Sequence, residues 1–566
     1  MALTTQRADK PGIRLLLASL LYLGCILLFF YHNLPTLTTD LIGPPEDNMQ
    51  DFWNTWYSQQ LASFNVADWF FTRLLFFPEG VSLLYHSFSY PNLALIRLIR
   101  TLLHLPSSVP VLVGLHNSML LASFYFAGVG AYYLAYHFSK HFWAAWVGGF
   151  IFAFSPSHFA HSLHHMHVAS IQYIPVFVFC VLRLEEADRM RHGVGAVICF
   201  VLSALSSWYY LFYNLFFLFF LYLYRAIQAR QLLIRPLLFQ STAIAGGSVL
   251  LLSPLLLPMI REAFVHSQVY KGGHNRYVAD LVGLFAFHPY HLAAHWTAWI
   301  NRRLTGNPWE MSVYLGIVNA GLLLWAFLKQ QHRRDPVLQW CLWGMLFFTL
   351  LAGGRVLHVL GVSIEPLFLP TAFLEHLPFL RNLRTPSRAI VYTYLFLGIG
   401  VARILNTLQT QQVSHPSRKH SSFNWNMIWR IAISVGLLLD FCSINRESTP
   451  VTCPPAYAAI GDDDTSLFGI LDLPMTGGNG YMMNQRCHNR PIVHATISRK
   501  LTKTLSDFLS TWKLAEQKEE LKGAHVKYIV VHTQLLPSAP LIDLAEYERH
   551  YRTVYRDANE IVFQVY

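Results

Sequence analysis

Two carboxylates one helical turn apart, Asp47 and Asp51, stand directly after the first long apolar run, in the string Asp47-Asn48-Met49-Gln50-Asp51-Phe52-Trp53-Asn54-Thr55-Trp56. An acid held beside a membrane is costly unless it has a partner or a task, and an ionised carboxylate can take a proton from a hydroxyl. The competing role for Asp47 is helix capping, because it precedes an amphipathic stretch whose first backbone N–H groups need acceptors. Asp51 can share a face with Asp47, and Asp40 lies nearer the apolar run. Three guanidinium groups, Arg381, Arg384 and Arg388, recur at spacings of three and four, so a helix would align them in one stripe. Their forks suit phosphate oxygens; the alternative is that they are interfacial anchors snorkelling from a helix end. A histidine run, His158, His161, His164, His165 and His167, places His161 and His165 four apart, as two metal ligands on one helical face would be. No acid lies within the run, and hydrogen bonding to hydroxyls or helix capping explains it with fewer assumptions.

The elements that must position these groups follow from hydropathy. The 566-residue chain is 54% hydrophobic, 15% aromatic and only 13% charged, with a mean hydropathy of +0.34. That balance is rare in a water-soluble protein of this size and points to an α-helical polytopic membrane protein. Runs able to cross about 30 Å of hydrocarbon are predicted at 15–31, 111–136, 142–155, 168–183, 193–207, 208–224, 236–258, 311–328, 336–352, 389–409 and 429–444, about eleven transmembrane helices. The first reads as a span and not as a cleavable signal peptide, since no small-x-small site follows it. The pair at 193–224 must turn at Ser206-Ser207-Trp208, because a single broken helix there would invert everything after it. Counting alternately in and out gathers Arg14, Lys140, Arg183, Arg225, Lys329 and Lys419 on one face. The N-terminus is therefore expected to be cytoplasmic and the C-terminus exoplasmic. The net charge of +11 then anchors the cytoplasmic face against anionic lipid, and its dispersal between spans makes nucleic acid a poor partner.

Residues 1–447 are expected to form the membrane module, with exoplasmic loops 34–110, 259–310 and 354–388, and residues 448–566 a small exoplasmic α/β domain. In that tail, strands are predicted at 467–473, 492–497, 527–532, 551–555 and 561–566, a helix over 501–521, and a hairpin turn at Asp557-Ala558-Asn559-Glu560. In the first loop, 47–64 and 91–105 read as amphipathic helices lying in the interface. Cys453 and Cys487 fall in the tail, where a disulfide and two unpaired thiols are both open. No glycine-rich phosphate loop appears, so the tail carries no nucleotide signature.

An acid in the first exoplasmic loop, the Asp47-x-x-Gln50-x-x-Trp53-Asn54-x-Trp56 string, many spans and an exoplasmic C-terminal domain together resemble the GT-C class of integral-membrane glycosyltransferases. Pro78-Glu79-Gly80, the segment from His165 to Pro175, that from Leu380 to Arg388, Leu471-Asp472-Leu473-Pro474 and Arg490-Pro491-Ile492-Val493 resemble its bacterial branch, so the resemblance spans nearly the whole chain. It implies transfer of a sugar from a polyprenyl-phosphate donor, reached from within the bilayer, to a glycan, lipid or protein acceptor outside. Cell-envelope assembly at a bacterial inner membrane is the implied setting, and the lack of any Asn-x-Ser/Thr sequon agrees with it. On this reading Asp47 matches the class's first-loop acid and is the candidate base, with Asp51 the second candidate. Trp53, Asn54, His165, Arg381, Arg384 and Arg388 are the candidates for substrate contacts. A lipid-linked donor needs no nucleotide cofactor, and the class has members with and without a divalent cation. Two other functions stay open: a transporter or flippase of a lipid-linked glycan, which would show midplane acids or broken helices, and a non-catalytic membrane glycan-binding protein.

Overall fold

The computed structural model describes residues 11–566 apart from 62–68, 188, 267–274, 375, 378–379, 381–382, 414–424, 462, 464–466, 510–511 and 540–541. Helices stand at all of the predicted spans. Six stretches are long and apolar enough to cross a membrane: Pro11–Phe30, Val109–Ser139, Met166–Ala187, Trp208–Ala229, Arg235–Val265 and Pro386–Thr410. Shorter apolar helices at Phe142–Ala153, Met190–Ser206, Ile317–Leu328 and Pro336–Ala352, with Trp425–Asp440, complete the bundle of an integral membrane protein. Ser207 is extended and separates Met190–Ser206 from Trp208–Ala229, so this pair does form two helices.

Small residues set how closely the spans approach. Phe142–Ala153 meets Ile390–Val413 backbone to backbone at Gly148 and Gly398, where a Cβ on either would overlap the other's carbonyl. One polar cluster inside the bundle joins three spans: Asn214 donates to Ser203 Oγ at 2.6 Å and accepts from Tyr392 Oη at 2.7 Å. Asp335 caps Pro336–Ala352 by accepting from the Val337 and Leu338 N–H groups, and its other oxygen holds Arg403 at 2.7 Å.

The loops that carry the candidate residues are bonded together at one end of the bundle. Asp40–Ile42, after the first span, pairs antiparallel with Ser448–Pro450, after the last. The Leu281 N–H donates to the His358 carbonyl, and His291 bridges to Ser443. Gly43, at φ +109°, lies so close to the helix Pro156–His164 that a Cβ would overlap the Leu163 carbonyl. The chain then enters the helix Asp47–Gln60, whose residues 48 and 50–58 are buried. The interfacial helix expected over 47–64 is thus a core element, because Phe52, Trp53, Trp56 and Tyr57 pack with Tyr481, Met482 and Ile492 from the tail. Its expected last residues, 62–64, lie outside the described residues. Tyr90–Leu102 does leave Leu95, Leu98 and Leu102 exposed, as an amphipathic helix would.

The tail holds a four-stranded sheet in the order Gly469–Leu473, Val526–His532, Glu560–Gln564, Arg552–Arg556, parallel in the first pair and antiparallel in the others. Asp557 makes the hairpin turn by accepting from the Asn559 and Glu560 N–H groups. The strand predicted at 492–497 does not form. Ile492 instead makes isolated bridges to Leu75 and to Ile470, so its backbone joins the first loop to the sheet. The helix predicted over 501–521 is corrected to Leu514–Gly523, after a 3-10 turn at Leu505–Asp507. Cys453 and Cys487 are disulfide-bonded, with Cα atoms 5.8 Å apart.

Candidate active site

Asp47 is the first residue of its helix and Glu46 is the N-cap residue, so the Asp47 side chain is free of the capping role. Its Oδ1 accepts from Asn479 Nδ2 at 3.1 Å, and its Oδ2 lies 3.0 Å from His165 Nε2. His165 reaches it because the histidine helix stops there: at φ −141° the residue leaves the helical path, and its ring turns to the acid. Its Nδ1 stays 3.5 Å from His161 Nδ1. Burial raises the Asp47 pKa, but the hydrogen bond and charge of His165, with the bond from Asn479, outweigh it and hold the carboxyl below its usual range.

Asp51 meets the opposite surroundings. It is buried, its Oδ2 accepts from the Met166 N–H at 2.7 Å, and its Oδ1 accepts from Asn54 Nδ2 at 3.4 Å. Burial pushes this carboxyl well above the usual range, the Asp47 charge adds to the shift, and the two hydrogen bonds offset only part of it. The two environments thus push the neighbouring carboxyls in opposite directions, down for Asp47 and up for Asp51. Burial, and then the charge of His165, push His164 down to about 3. It is therefore neutral, hydrogen-bonded through Nε2 to Tyr290 Oη at 2.7 Å, and its 3.2 Å approach to Glu46 is not an ion pair.

A cavity of about 530 Å³ opens beside Asp47. Its polar lining includes Asp47, His165, His167, Arg384, Arg388 and Arg499. Its apolar lining includes Leu211 and Phe212 from Trp208–Ala229, and Leu256, Met259 and Ile260 from Arg235–Val265. Arg388 is only 9% exposed, so it is no snorkelling anchor; it places Nε and Nη2 on Glu310 Oε1 at 2.8 and 2.7 Å and lies 4.7 Å over the Tyr209 ring. The predicted arginine stripe is broken, because residues 383–385 are not helical and a 3-10 turn, Pro386–Ala389, leads into the span. Arg384 stands exposed at the cavity, and Arg381 lies outside the described residues.

Asp51, Trp53 and Asn54 are not among the described residues that line the cavity. Their place is in the packing that holds the acidic helix. Trp53 is buried, donates from Nε1 to Gln485 Oε1 at 2.8 Å and stacks on Tyr57, while Asn54 binds His86 Nε2 at 2.8 Å. Arg499 and Glu310 were not anticipated. Arg499 sits in Ser498-Arg499-Lys500, at the edge of a segment that reads as a strand, and nothing local marks it. Burial, and then the nearby charge of Arg384, weaken its hold on its proton. Among the described residues no group of three or more His, Cys, Asp or Glu side chains is arranged to hold a metal ion.

The same architecture occurs in solved structures. The oligosaccharyltransferase AglB from Archaeoglobus fulgidus, in complex with an inhibitory peptide and a dolichol-phosphate, aligns with a TM-score of 0.52 at 12% identity, over 95% of this chain and 72% of that one. The arabinofuranosyltransferase AftD from Mycobacteria aligns with a TM-score of 0.57 at 13% identity, over 97% of this chain and 40% of that one. These are GT-C glycosyltransferases, and at such identities the likeness establishes the fold, which is that of the GT-C class. No curated protein matches by sequence. A family model described as a domain of unknown function, DUF6311, matches residues 19–439, taking in the acidic helix, the histidine run and Arg388, and the chain belongs to that family.

Proposed function

We propose that this protein is a membrane glycosyltransferase that moves a sugar from a polyprenyl-phosphate donor to an acceptor hydroxyl, on the exoplasmic face of a bacterial inner membrane, in envelope glycan or glycolipid assembly. The observation that carries the reading is a cavity lined both by an acid with guanidinium groups and by apolar side chains of two spans. An isoprenoid chain lies against Leu256, Met259 and Ile260, and its phosphate meets the forks of Arg384 and Arg499. AglB, of the same fold, was solved with dolichol-phosphate, a lipid of this chemistry.

In the transfer the acceptor oxygen attacks the anomeric carbon while Asp47 takes the hydroxyl proton. The bond from that carbon to the phosphate oxygen breaks, and its electron pair stays on the phosphate. Charge on the phosphate is greatest late in this step, so preset guanidinium groups stabilise the transition state more than the bound donor. His165 and Asn479 keep the Asp47 carboxylate oriented and ionised.

The test is transfer from a radiolabelled polyprenyl-phosphate sugar in proteoliposomes. Asp47→Asn keeps shape and packing but removes the proton acceptor, and is expected to lower transfer roughly 10²–10⁴-fold. Asp51→Asn is expected to leave it within severalfold. Full activity in Asp47→Asn would overturn the assignment. Passage of a lipid-linked glycan across the bilayer, with no glycosyl product, would make the protein a flippase instead.

A further inference from the structure

Glu310 is a buried acid to which the transfer above gives no task. Its side chain is 1% exposed, and three neighbours converge on it. Arg388 places Nε and Nη2 on Oε1 at 2.8 and 2.7 Å. Ser387 Oγ donates to Oε2 at 2.5 Å, and His161 Nε2 lies 3.7 Å from that same oxygen. His161 faces His165 across 3.5 Å, and His165 holds Asp47 at 3.0 Å. One carboxylate therefore stands between the guanidinium that lines the cavity and the histidines that lead to the acid.

A buried ion pair is weak evidence of stabilisation in itself, because desolvating both charges offsets most of their attraction. Orientation is the better account of this one. Arg388 is pressed on one face by Tyr209 and has two of its three nitrogens on Glu310, which holds the group in one geometry with Nη1 outside the pair. We propose that Glu310 is a positioning residue that fixes the Arg388 guanidinium for the donor phosphate, a role that rests on reading the cavity as the donor site.

The experiment is a double-mutant cycle on the full-length protein in nanodiscs, with undecaprenyl phosphate as the probe and uncharged undecaprenol as the control. Thermal melts confirm that each variant is folded. Arg388→Gln is expected to weaken binding of the phosphate roughly 10–100-fold, the worth of a charge-assisted hydrogen bond. Glu310→Ala is expected to weaken it by a similar factor, and the double variant no further than Arg388→Gln alone, because Glu310 acts through Arg388. Undecaprenol binding is expected to stay unchanged throughout. If Glu310→Ala does not fold, Glu310→Gln, which keeps the volume and one acceptor oxygen, takes its place in the cycle with a smaller expected loss. Wild-type phosphate binding in Arg388→Gln would overturn the positioning role while leaving the phosphate to Arg384 and Arg499, whereas wild-type protein that binds undecaprenyl phosphate no more tightly than undecaprenol would overturn the donor-site reading itself. A loss in Arg388→Gln combined with no loss in the Glu310 variant, or with losses that multiply in the double variant, would overturn the positioning role alone.

Discussion

Asp47 and Asp51 are separated by one helical turn and by the company each keeps, and stability against pH should report the difference. The Asp51 carboxyl is raised above its ordinary value of 3.8, so ionising it costs the folded state, and that cost grows as pH rises from about 4 through the raised value. Asp51→Asn keeps the oxygen that takes the Met166 N–H and removes the cost. Its melting temperature at neutral pH is expected to equal or exceed wild type, with a flatter pH dependence; a clear drop would show that ionised Asp51 is needed. Asp47 has the opposite sign: its contribution is present above about pH 4 and is lost as pH falls through its lowered value. The residue types at 47, 165, 384 and 388 advertise their chemistry in the sequence, and the cavity brings these four together. Glu310 and Arg499 gave no such signal, because what matters about them is a partner far away in the chain.

At the scale of elements, the entry to the acidic helix is held by a contact that admits little change. Gly43 enters it in the left-handed region, against the Leu163 carbonyl. Gly43→Val should lower stability by about 1–3 kcal/mol through backbone strain and should reduce transfer in the same variant, since the overlap pushes Asp47 away from the histidine helix. A folded Gly43→Val protein with wild-type melting and transfer would contradict this coupling. The spans were legible because an apolar run of the right length has few other fates in water or lipid. The acidic helix reads as interfacial from its apolar Trp and Phe face, yet its polar residues are buried too. Gln50 in fact donates to the Thr496 carbonyl and Asn48 to Thr449 Oγ1, partners some 400 positions away. The same distance hid the role of 492–497, whose backbone binds the first loop as well as the sheet.

Across the whole molecule, strand pairing and loop bonds commit the first loop, the loops before Ile317–Leu328 and Ile390–Val413, and the tail to one side of the bundle. They must therefore face the same compartment, and the basic residues of the other end make the outside the expected one. Reporters fused after Lys419 are expected to read cytoplasmic and those after Tyr566 exoplasmic; the reverse pair would turn the cavity toward the cytoplasm. The central claim is that the cavity beside Asp47 holds a polyprenyl phosphate, and a cryo-EM map of the protein in nanodiscs with undecaprenyl phosphate tests it most directly. The account predicts phosphate density between Arg384 and Arg499, within reach of Arg388, with the isoprenoid running along Leu256, Met259 and Ile260. Ordered lipid elsewhere with this cavity empty, at a concentration that saturates binding, would contradict it.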